Sequence, residues 1–484
     1  MQLCGFNFDT TYTGLPSCFF THNSPDLVID PKLIILNSSL AQELGLDFEN
    51  MNLDEQAKLF AGNVIPEHVK PFSQAYAGHQ YGHFTFLGDG RAHILGEHVT
   101  PAGARFDIQF KGSGCTPYSR RGDGKAALGP MLREYIISEA MHHLGVPTTR
   151  SLAVVTTGEK IMRKSLLPGA ILTRVARSHI RVGSFEFASV SGGGNDIRSL
   201  VDYTVKRHYP EIIGGDNDAL SLLNAVISNQ AKLLVNWMRV GFIHGVMNTD
   251  NVSIVGDTID YGPCAFLDSY KADTVFSSID KDGRYAFSNQ AKICQWNVAI
   301  FAETLLPLLD SNINKAVSVA RDAIDDFFNI YQQSWLNMMC AKLGLFGFLN
   351  GDGALINDIL AWMSKHNADY TNTFYDLAHK DMPVGKIYED DDFQDWYQRW
   401  SLRIKQNKCS WGKSQSMMRE NNPAVIPRNH KVHEVLEAAA ANNLAPLSNF
   451  LQVLQHPYNY DSTPSIYQLP PKPRECIYQT FCGT

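Results

Sequence analysis

The pattern of apolar and polar positions changes about a third of the way along the chain. Over the first 180 residues, short alternating runs broken by glycine and proline predict β-strands. The segment HFTFLGDGRAHILGE (83–97) predicts a hairpin that turns at its Gly-Asp-Gly, and RFDIQFKGSG (105–114) predicts a strand that ends in a glycine-rich bend. The runs LAVVTTGE and GAILTRVA predict two more strands. This part should therefore contain a twisted antiparallel sheet.

One helix interrupts these strands. From Leu128 the apolar positions follow a helical period, and Gly145 and Pro147 end the pattern. The face that this period predicts consists of Leu128, Met131, Leu132, Tyr135, Ile136, Ala140 and Leu144. We expect the helix to pack against the sheet.

Beyond residue 180 the pattern becomes mainly helical. Residues 219–241 predict a long apolar helix ending at Gly241, and helical spacing recurs in QAKICQWNVAIFAETLLPLL, in 315–344, in FQDWYQRWSLRIKQ and in KVHEVLEAAAANN. The last 30 residues, rich in proline and tyrosine, predict an extended segment on the surface. The prediction is an α+β protein divided at residue 180, with a sheet-containing part over 1–180 and a helical part over 181–484.

Composition excludes several classes of protein. Of the 484 residues, 44% are hydrophobic and 19% are charged, and the net charge is -7 without a basic run, which argues against a nucleic-acid partner. No apolar stretch is long enough to span a bilayer, and the beginning of the sequence resembles neither a signal peptide nor a transit peptide. The nine cysteines are scattered without a CxxC pair, so we expect reduced thiols. The expectation is a cytoplasmic bacterial protein that is a monomer.

The segment HGVMNTDNVSIVGDTIDYGP (244–263) concentrates oxygen donors. Asp250 and Asn251 stand before two β-like runs, VSIV and TID, which predict a hairpin turning at 256–257 that returns Asp260 to the start. Such donors suit a hard cation such as Mg²⁺. The alternative is that Asp250 and Asn251 cap a turn and that Asp260 merely ends a strand.

The spacing favours the metal site. His244 precedes Asn251 by seven positions, as in the H-R-D-x-x-x-x-N loop of protein kinases, and Asp260-Tyr261-Gly262 stands where D-F-G would follow. A kinase also requires a strand lysine and a helix glutamate, which Lys111 and Glu134 supply, and a glycine loop, which GDGR (88–91) supplies. The position of the kinase base holds Val246, which accepts no proton. Asp250 is the candidate substitute; a catalytically dead kinase fold is the alternative.

Other segments predict phosphate contacts. The loop KGSGCTPYSRRGDGKAALG (111–129) is rich in glycine and basic residues, with Asp123 and Gly124 at its centre, and its backbone amides could cradle phosphate. Arg174 and Arg181 are seven apart, so on one helix face they would form a phosphate clamp.

Two further patterns favour structural roles. His79 and His83 in YAGHQYGHF have the spacing of a metal pair, but the interleaved glycines and the absence of a third ligand favour structure. The acidic run EDDDFQD (389–395) predicts a solvated helix start.

The motifs resemble those of a known family. YAGHQYGHF, LGDGRA, residues 111–155, RVARSHIRVGSFEF and HGVMNTDNVSIVGDTIDYGPCAFLD are similar to selenoprotein O, the YdiU-type protein adenylyltransferases, over essentially the whole chain. The resemblance implies a bilobal protein-kinase-like fold, with an antiparallel β-sheet N-lobe and a mainly helical C-lobe. It also implies that ATP binds in a flipped orientation and that AMP is transferred to Ser, Thr or Tyr hydroxyls of proteins with release of pyrophosphate.

The resemblance assigns a role to each candidate residue. Asp250 would accept the proton, Asn251 and Asp260 would hold Mg²⁺ or Mn²⁺, and Glu134 would pair with Lys111. The implied nucleotide contacts are Gly88, Gly90, Arg91, Lys111, Asp123, Gly124, Arg174, Arg181 and Asp260. A flipped ATP would explain Val246, because the base need not stand where a kinase has it.

The resemblance also leaves alternatives. An atypical kinase, a non-catalytic ATP-binding scaffold and UMP transfer with Mn²⁺ all stay open. Cys482 stands where family members carry selenocysteine or cysteine, which some link to the activation segment by a disulfide. DTVFSSID (273–280) has no cysteine here, and Cys264 and Cys294 are the neighbouring choices.

Overall fold

An antiparallel sheet organises the first part of the chain. The structure is a computed structural model that describes residues 4–191, 194–379, 382–477 and 479–480. The main sheet has the strand order β1-β3-β6-β7-β10-β9-β2, with β8 paired to β10, and β4 and β5 form a separate two-stranded sheet, as do β11 and β12. The strands are β1 Phe20–His22, β2 Lys32–Leu36, β3 Phe72–Gln74, β4 Ala77–Gln80, β5 His83–Phe86, β6 Ala92–Val99, β7 Arg105–Lys111, β8 Ala126–Ala127, β9 Arg150–Met162, β10 Leu166–Ala176, β11 Phe242–Ile243 and β12 Ala265–Phe266.

Helices dominate the rest of the chain. Only three helices lie among the strands of the first part: α1 Ser38–Glu43, α2 Leu53–Phe60 and α3 Leu128–His143, as far as the described residues show. The others are α4 Val182–Ser191, α5 Gly194–His208, α6 Asp218–Val240, α7 Gln290–Leu309, α8 Ile313–Lys342, α9 Asp352–His366, α10 Tyr370–Leu377, α11 Asp391–Lys405, α12 Trp411–Asn421, α13 Asn429–Ala440, α14 Ala445–Leu454 and α15 Ser465–Gln468. The predicted α+β character and the antiparallel sheet are confirmed.

Most predicted elements are present. The strands from 105, 152 and 169 correspond to β7, β9 and β10, and the predicted face of α3 is buried. The apolar run from 219 forms α6, which ends where Gly241 adopts a φ of 72°, a conformation that favours glycine. Asp390 caps α11 by accepting from the amide of Phe393, so the acidic run does begin a helix.

Two predicted hairpins are wrong. β5 pairs with β4, and β6 pairs with β3 and β7, so HFTFLGDGRAHILGE contributes to two different sheets. The runs VSIV and TID form no hairpin; Ser253 bridges to Arg181, and Thr258 bridges to Thr148. At 83–97 the two strands pair with their other neighbours in sequence, β4 and β7, instead of with each other. At 252–260, bridges to distant segments replace the predicted local pairing.

The register of the central strands places polar side chains together beneath α3. In the β7–β10 pair, Lys111 lies opposite Leu172 and Gln109 lies opposite Arg174. Because alternate residues of a strand share a face, Gln109, Lys111 and Arg174 project from the same side of the sheet. Glu134 of α3 is buried above that side. Among the described residues, no helix is both long enough and apolar enough to cross a membrane.

Candidate active site

Asp260 is the point where three cationic side chains meet. Its Oδ1 accepts from Lys111 Nζ at 2.8 Å and from Arg174 Nη2 at 2.7 Å, and its Oδ2 accepts from Arg181 Nη1 at 2.6 Å. Burial opposes ionisation of the carboxyl group, but the three cations outweigh it and hold the pKa of Asp260 well below its usual range. Asp260 is therefore a carboxylate at any physiological pH.

Glu134 fixes two of these cations from behind. Its Oε2 accepts from Lys111 Nζ at 2.7 Å, and its Oε1 accepts from Arg174 Nε at 3.0 Å and from Arg174 Nη2. Arg174 Nη1 also donates to Gln109 Oε1 at 3.2 Å. Burial works against the charged form of Glu134, yet Arg174 and Lys111 lower its pKa. The predicted Lys111–Glu134 pair is thus part of a larger network that also includes Arg174 and Asp260.

The backbone at Asp260 is strained. Asp260 has a φ of 64°, in the left-handed region, and its carbonyl accepts from the amide of Gly262 at 2.8 Å. The chain therefore turns sharply at the aspartate itself. Because an aspartate is held in this region against its preference, the surrounding contacts must fix it there, as is frequent at functional sites.

Asp250 has different surroundings. It is 8% exposed, and its Oδ1 is buried without a hydrogen-bond partner in the part of the chain that the structure describes. Burial raises the pKa of Asp250 to about 6; the nearby Arg181 opposes the shift, and Asp260 and Glu186 add to it. Near neutral pH this carboxyl group is an ionised proton acceptor whose affinity for a proton is higher than usual.

Glycines bring neighbouring segments close to Asp250. A Cβ atom at Gly78 would lie 2.6 Å from Asp250 Oδ1, and a Cβ atom at Gly183 would lie 2.0 Å from the carbonyl oxygen of Ala77. Arg181 connects the two aspartates, because the Nη1 atom that binds Asp260 also donates to the backbone carbonyl of Asp250 at 2.6 Å. The guanidinium of Arg181 also lies 4.7 Å from the ring centre of Tyr76. The loop that carries Asp250 is therefore fixed from several sides.

The donor set near Asn251 is suited to a hard cation. Asn251 Nδ2 donates to the Val246 carbonyl at 3.0 Å, which directs the amide and assigns its other atom as the oxygen. Asn251, Asp250 and Asp260 line the same cleft, and all of them offer oxygen atoms. Oxygen ligands of this kind fit Mg²⁺ or Mn²⁺, although Asp260 must then share its oxygens with the three cations.

The two glycine-rich segments pack against each other. A Cβ atom at Gly88 would lie 2.5 Å from the Tyr118 ring, and one at Gly90 would lie 2.9 Å from the Tyr118 carbonyl oxygen. Ser119 Oγ donates to the Gly90 carbonyl at 2.5 Å. The 88–91 turn is therefore covered by the long loop after Lys111, and glycine is required there for the close approach.

Asp123 and Gly124 lie in the same long loop. Asp123 receives two hydrogen bonds from the guanidinium of Arg163, at 2.8 and 2.9 Å, on a partly exposed surface. Gly124 has a φ of 65°, and a Cβ atom there would lie 2.0 Å from the carbonyl oxygen of Gly114. The loop thus keeps a defined shape beside the cleft.

One cleft of about 1380 Å³ brings the predicted residues together. It is lined by Gly88, Gly90, Arg91, Lys111, Asp123, Gly124, Glu134, Arg174, Arg181, Asp250, Asn251 and Asp260. These residues come from β7 and β10, from α3, from two loops between strands, from the segment before α4 and from the segment between β11 and β12, so no single motif forms the site.

Some sequence interpretations need correction. Arg174 and Arg181 do not share a helix face: Arg174 lies in β10, and Arg181 precedes α4. They converge because each reaches the Asp260 carboxylate from its own segment.

His79 does not bind a metal with His83. The side chain of His79 pairs with Glu186, and His83 is exposed on β5. Among the described residues, the only group of three or more histidine, cysteine or acidic side chains close enough to share an ion is His366, Asp390 and Asp392. Since Asp390 caps α11 and Asp392 pairs with Lys365 at 2.5 Å, those carboxylates already have structural partners.

Two of the cysteines considered for a disulfide, Cys264 and Cys294, lie away from solvent. Cys264 and Cys294 are buried, and burial raises the pKa of their thiols to about 11 and about 12. Both thiols therefore stay protonated near neutral pH and do not react as nucleophiles. Cys482 lies outside the described residues.

Sequence reasoning missed four residues of the site. Tyr76 lies against Arg181, Gln109 binds Arg174, Asp89 is buried and accepts from the amide of Gln74 at 3.1 Å, and Glu186 lies near Asp250. The register of β7 and β10 would have revealed Gln109, since it is two residues before Lys111 on the same face. Nothing in the local sequence distinguishes the other three.

Comparison of the sequence with known proteins identifies the family of the chain. The family model described as protein adenylyltransferase SelO matches residues 2–455. The chain is 55% identical over 484 residues to the protein nucleotidyltransferase YdiU of Nitrosococcus oceani, covering 100% of this chain and 98% of the relative. It is 53% identical over 481 residues to the protein of the same name from Syntrophotalea carbinolica (99% and 98% covered) and 52% identical over 481 residues to that from Bacillus cereus (99% and 99% covered). The resemblance inferred from the motifs is confirmed: this chain belongs to the SelO family of protein adenylyltransferases.

Proposed function

We propose that the protein transfers AMP from ATP to Ser, Thr or Tyr hydroxyl groups of other proteins and releases pyrophosphate. One cleft contains both the buried Asp250, whose Oδ1 has no hydrogen-bond partner among the described residues, and the cationic network around Asp260; this observation carries the proposal. The first supplies a proton acceptor, and the second supplies positive charge for a polyphosphate. Membership of a protein nucleotidyltransferase family supports the same reaction.

The proposed architecture is kinase-like and bilobal. The sheet with α3 would form one lobe over residues 1–180, and the helices from α4 onward would form the other over 181–484. Lys111, Glu134, Asn251 and Asp260 then occupy the kinase-like positions that their spacing predicted. The working form would be a monomer that binds ATP and a protein, without nucleic acid.

The phosphate chain would lie among the cationic side chains. Lys111, Arg174 and Arg181 surround Asp260, and Arg91 lies in the same cleft. Asn251 and Asp260 would hold Mg²⁺ or Mn²⁺, which when bound supplies charge neutralisation for the phosphates. Gly88, Gly90, Asp123 and Gly124 would contact the nucleotide from the two packed glycine segments. Fixed charges of this kind stabilise a transition state without reorganising.

Asp250 would act as the general base. As the acceptor oxygen forms a bond to the α-phosphorus, its proton passes to the Asp250 carboxylate, and the bond from the α-phosphorus to the β-phosphate oxygen breaks. Pyrophosphate departs, and the acceptor retains AMP. Val246 lines the cleft at the position of the kinase base, so a proton acceptor at Asp250 would serve an α-phosphorus presented elsewhere in the cleft.

The test compares ATP labelled at the α-phosphate with ATP labelled at the γ-phosphate. Incubation with Mg²⁺ and a mixture of candidate protein acceptors should leave α-label on protein, and intact-mass analysis should show an AMP adduct. Retention of γ-label alone would establish an atypical kinase instead. If Asp260→Ala, with its fold intact, binds and labels as the wild type does, neither the metal site nor catalysis is where we place it.

Replacing ATP with UTP in the presence of Mn²⁺ separates AMP transfer from UMP transfer. A stronger label from UTP under competition would assign the second activity.

A further inference from the structure

The β4–β5 hairpin is attached to the loop that carries Asp250. The amide of His79 donates to Thr249 Oγ1 at 2.7 Å, and the amide of Tyr81 donates to Asn248 Oδ1 at 2.9 Å. Gly78 lies directly against the side chain of Asp250. One edge of the hairpin is therefore joined to the segment around the proposed base.

The opposite edge of the hairpin is free. β4 and β5 pair with His79 opposite Phe84 and Ala77 opposite Phe86, and the amide of Leu87 donates to the Tyr76 carbonyl at 2.9 Å. Hydrogen-bonded and non-hydrogen-bonded pairs alternate in an antiparallel ladder, so the backbone groups of Phe84 and Phe86 point away from β4. Across the described ranges, no other segment forms a hydrogen bond to these groups.

The side chains beside that edge are aromatic and exposed. Phe84 is 40% exposed and Phe86 is 56% exposed. Their ring centres are 5.3 Å apart, that of Phe84 lies 5.5 Å from that of His79, and that of Phe86 lies 6.2 Å from that of Phe187 on α4. Proteins usually protect a free strand edge with charge, proline or a covering segment, whereas β5 presents two phenylalanines. An edge of this kind suits an added strand.

We propose that the free edge of β5 docks an extended apolar segment of the protein acceptor, which adds a third strand to the hairpin. The inference rests on the proposed function, because only a protein acceptor offers backbone groups in the required repeat. The added strand would pair with the backbone of Phe84 and Phe86 and place alternate apolar side chains on their rings.

The position of the edge identifies the acceptor as its occupant. Strands are spaced by about 4.8 Å, so an added strand would lie roughly 10 Å from β4 and hence from Gly78, which contacts Asp250. A hydroxyl a few residues from the docked segment can cover that distance, since an extended chain spans about 3.3 Å per residue. Docking at β5 would thus raise the local concentration of the hydroxyl near the base.

The test uses synthetic peptides with a single tyrosine. One set carries a Val-Asn-Val segment at varied distances from the tyrosine, and a second set replaces that segment with Gly-Asn-Gly, so that the tyrosine carries the only side-chain hydroxyl. A third set keeps the valines but carries a methyl group on every second backbone nitrogen. One version methylates the nitrogens of the valines, and the other methylates the nitrogens of the residues between and beside them. At one range of distances between the segment and the tyrosine, we expect α-label from ATP to enter the valine peptides at least tenfold faster than the glycine peptides. One of the two methylation patterns should abolish that gain.

Two variants test the protein side. Phe84→Pro removes an outward N–H without removing a bond to β4, and Phe86→Ser removes an exposed ring while leaving the backbone unchanged. Phe348→Ser is the matched control, because Phe348 is 55% exposed and lies between α8 and α9, outside the cleft. Both hairpin variants should lose the preference for valine peptides and keep their affinity for an ATP analogue; the control should keep both.

The outcomes separate this inference from the proposed function. If the wild type transfers AMP to itself or to peptides but shows no preference that Phe86→Ser removes, docking at β5 is wrong and the activity stands. If no AMP adduct forms on any protein or peptide, both fail. A concentration-dependent dimer of the wild type that Phe84→Pro dissociates would show that a second copy occupies the edge, and would also overturn the inference.

Discussion

Asp250 and Asp260 are ten positions apart and face the same cleft, but their pKa values are shifted in opposite directions. Three cations hold Asp260 ionised. Asp250 is buried, one of its oxygens has no partner within the described part of the chain, and burial raises its pKa to about 6. Two carboxylates whose environments separate their pKa values are typical of an active site with divided roles. Under the proposed function, Asp260 would provide negative charge and metal binding, and Asp250 would accept the proton.

Replacing Asp250 tests that division. Asp250→Asn keeps the size of the side chain and removes its basicity, so we expect AMP transfer at saturating ATP to fall by about 10²- to 10⁴-fold. The dissociation constant of an ATP analogue should change by less than about threefold, because the proposed phosphate contacts lie on other residues. Transfer is measured with α-labelled ATP and affinity by calorimetry. Equal losses in both would make Asp250 a structural residue.

Arg174 should matter for stability as well as for ATP. Arg174→Met leaves Glu134 and Asp260 buried with fewer partners, so we expect the free energy of unfolding to fall by about 3 kcal/mol. Arg163→Met is the control: it breaks the partly exposed pair with Asp123 and should cost less than about 1 kcal/mol. Urea unfolding of the two variants compares them, and a similar loss in both would mean that the buried network adds no more than the surface pair.

The sequence predicted most residues of the candidate site but, of their contacts, only the Lys111–Glu134 pair. Kinase-like spacing and the family motifs located Lys111, Glu134, Asn251 and Asp260, and all of them line the cleft. That one carboxylate binds Lys111, Arg174 and Arg181 together could not be predicted, because the three cations reach it from β7, β10 and the segment before α4. Glu186 near Asp250 depends in the same way on how α4 packs.

At the scale of elements, long helices were predictable and short pairings were not. α3 and α6 follow their apolar period and end at glycines, because those signals lie within the element itself. The predicted hairpin at 83–97 fails because β5 pairs with β4 and β6 pairs with β7. The one at 252–260 fails because Ser253 and Thr258 bridge to distant segments. The β4–β5 hairpin turns at Tyr81 and Gly82, which have φ values of 52° and 88°. This turn was not predicted from the sequence, because YAGHQYGHF was interpreted through its two histidines.

The contact between β4 and the loop around Asp250 provides a test at this scale. In Gly78→Ala the new methyl group would lie 2.6 Å from Asp250 Oδ1 and 2.9 Å from its Cβ, so the loop and the hairpin must move apart. We expect AMP transfer to fall at least tenfold, with affinity for an ATP analogue changed by less than about threefold.

A glycine in open space is the control for that substitution. At Gly353 in α9, a Cβ atom would meet nothing within 4 Å, so Gly353→Ala should leave transfer at the wild-type rate and stabilise the helix slightly. Wild-type transfer by Gly78→Ala would show that the base tolerates displacement and that the close packing is not required for the reaction.

For the whole molecule, buried histidines couple folding to pH. Burial lowers the pKa of His93 to about 4 and that of His208 to about 3, and it also lowers the pKa values of His179 and His244. In the unfolded chain each would titrate near 6.5. Between pH 6.5 and the lowered values the unfolded state therefore binds protons that the folded state does not, and the folded state loses stability as the pH falls.

His93 allows this coupling to be measured at one residue. Its Nδ1 lies 2.7 Å from Ser113 Oγ in a fully buried position, and glutamine can supply an amide donor there without a titrating group. Each proton taken up on unfolding changes stability by about 1.4 kcal/mol per pH unit, so from pH 7.5 to pH 5 His93 alone should cost the wild type about 2 kcal/mol. We therefore expect the thermal midpoint of His93→Gln to start lower at pH 7.5 but to fall less than that of the wild type by pH 5. His433→Gln, at an exposed side chain on α13, should fall as far as the wild type does. Parallel decreases in all three proteins would show that His93 does not contribute to acid sensitivity, and that the remaining buried histidines or the paired carboxylates dominate it.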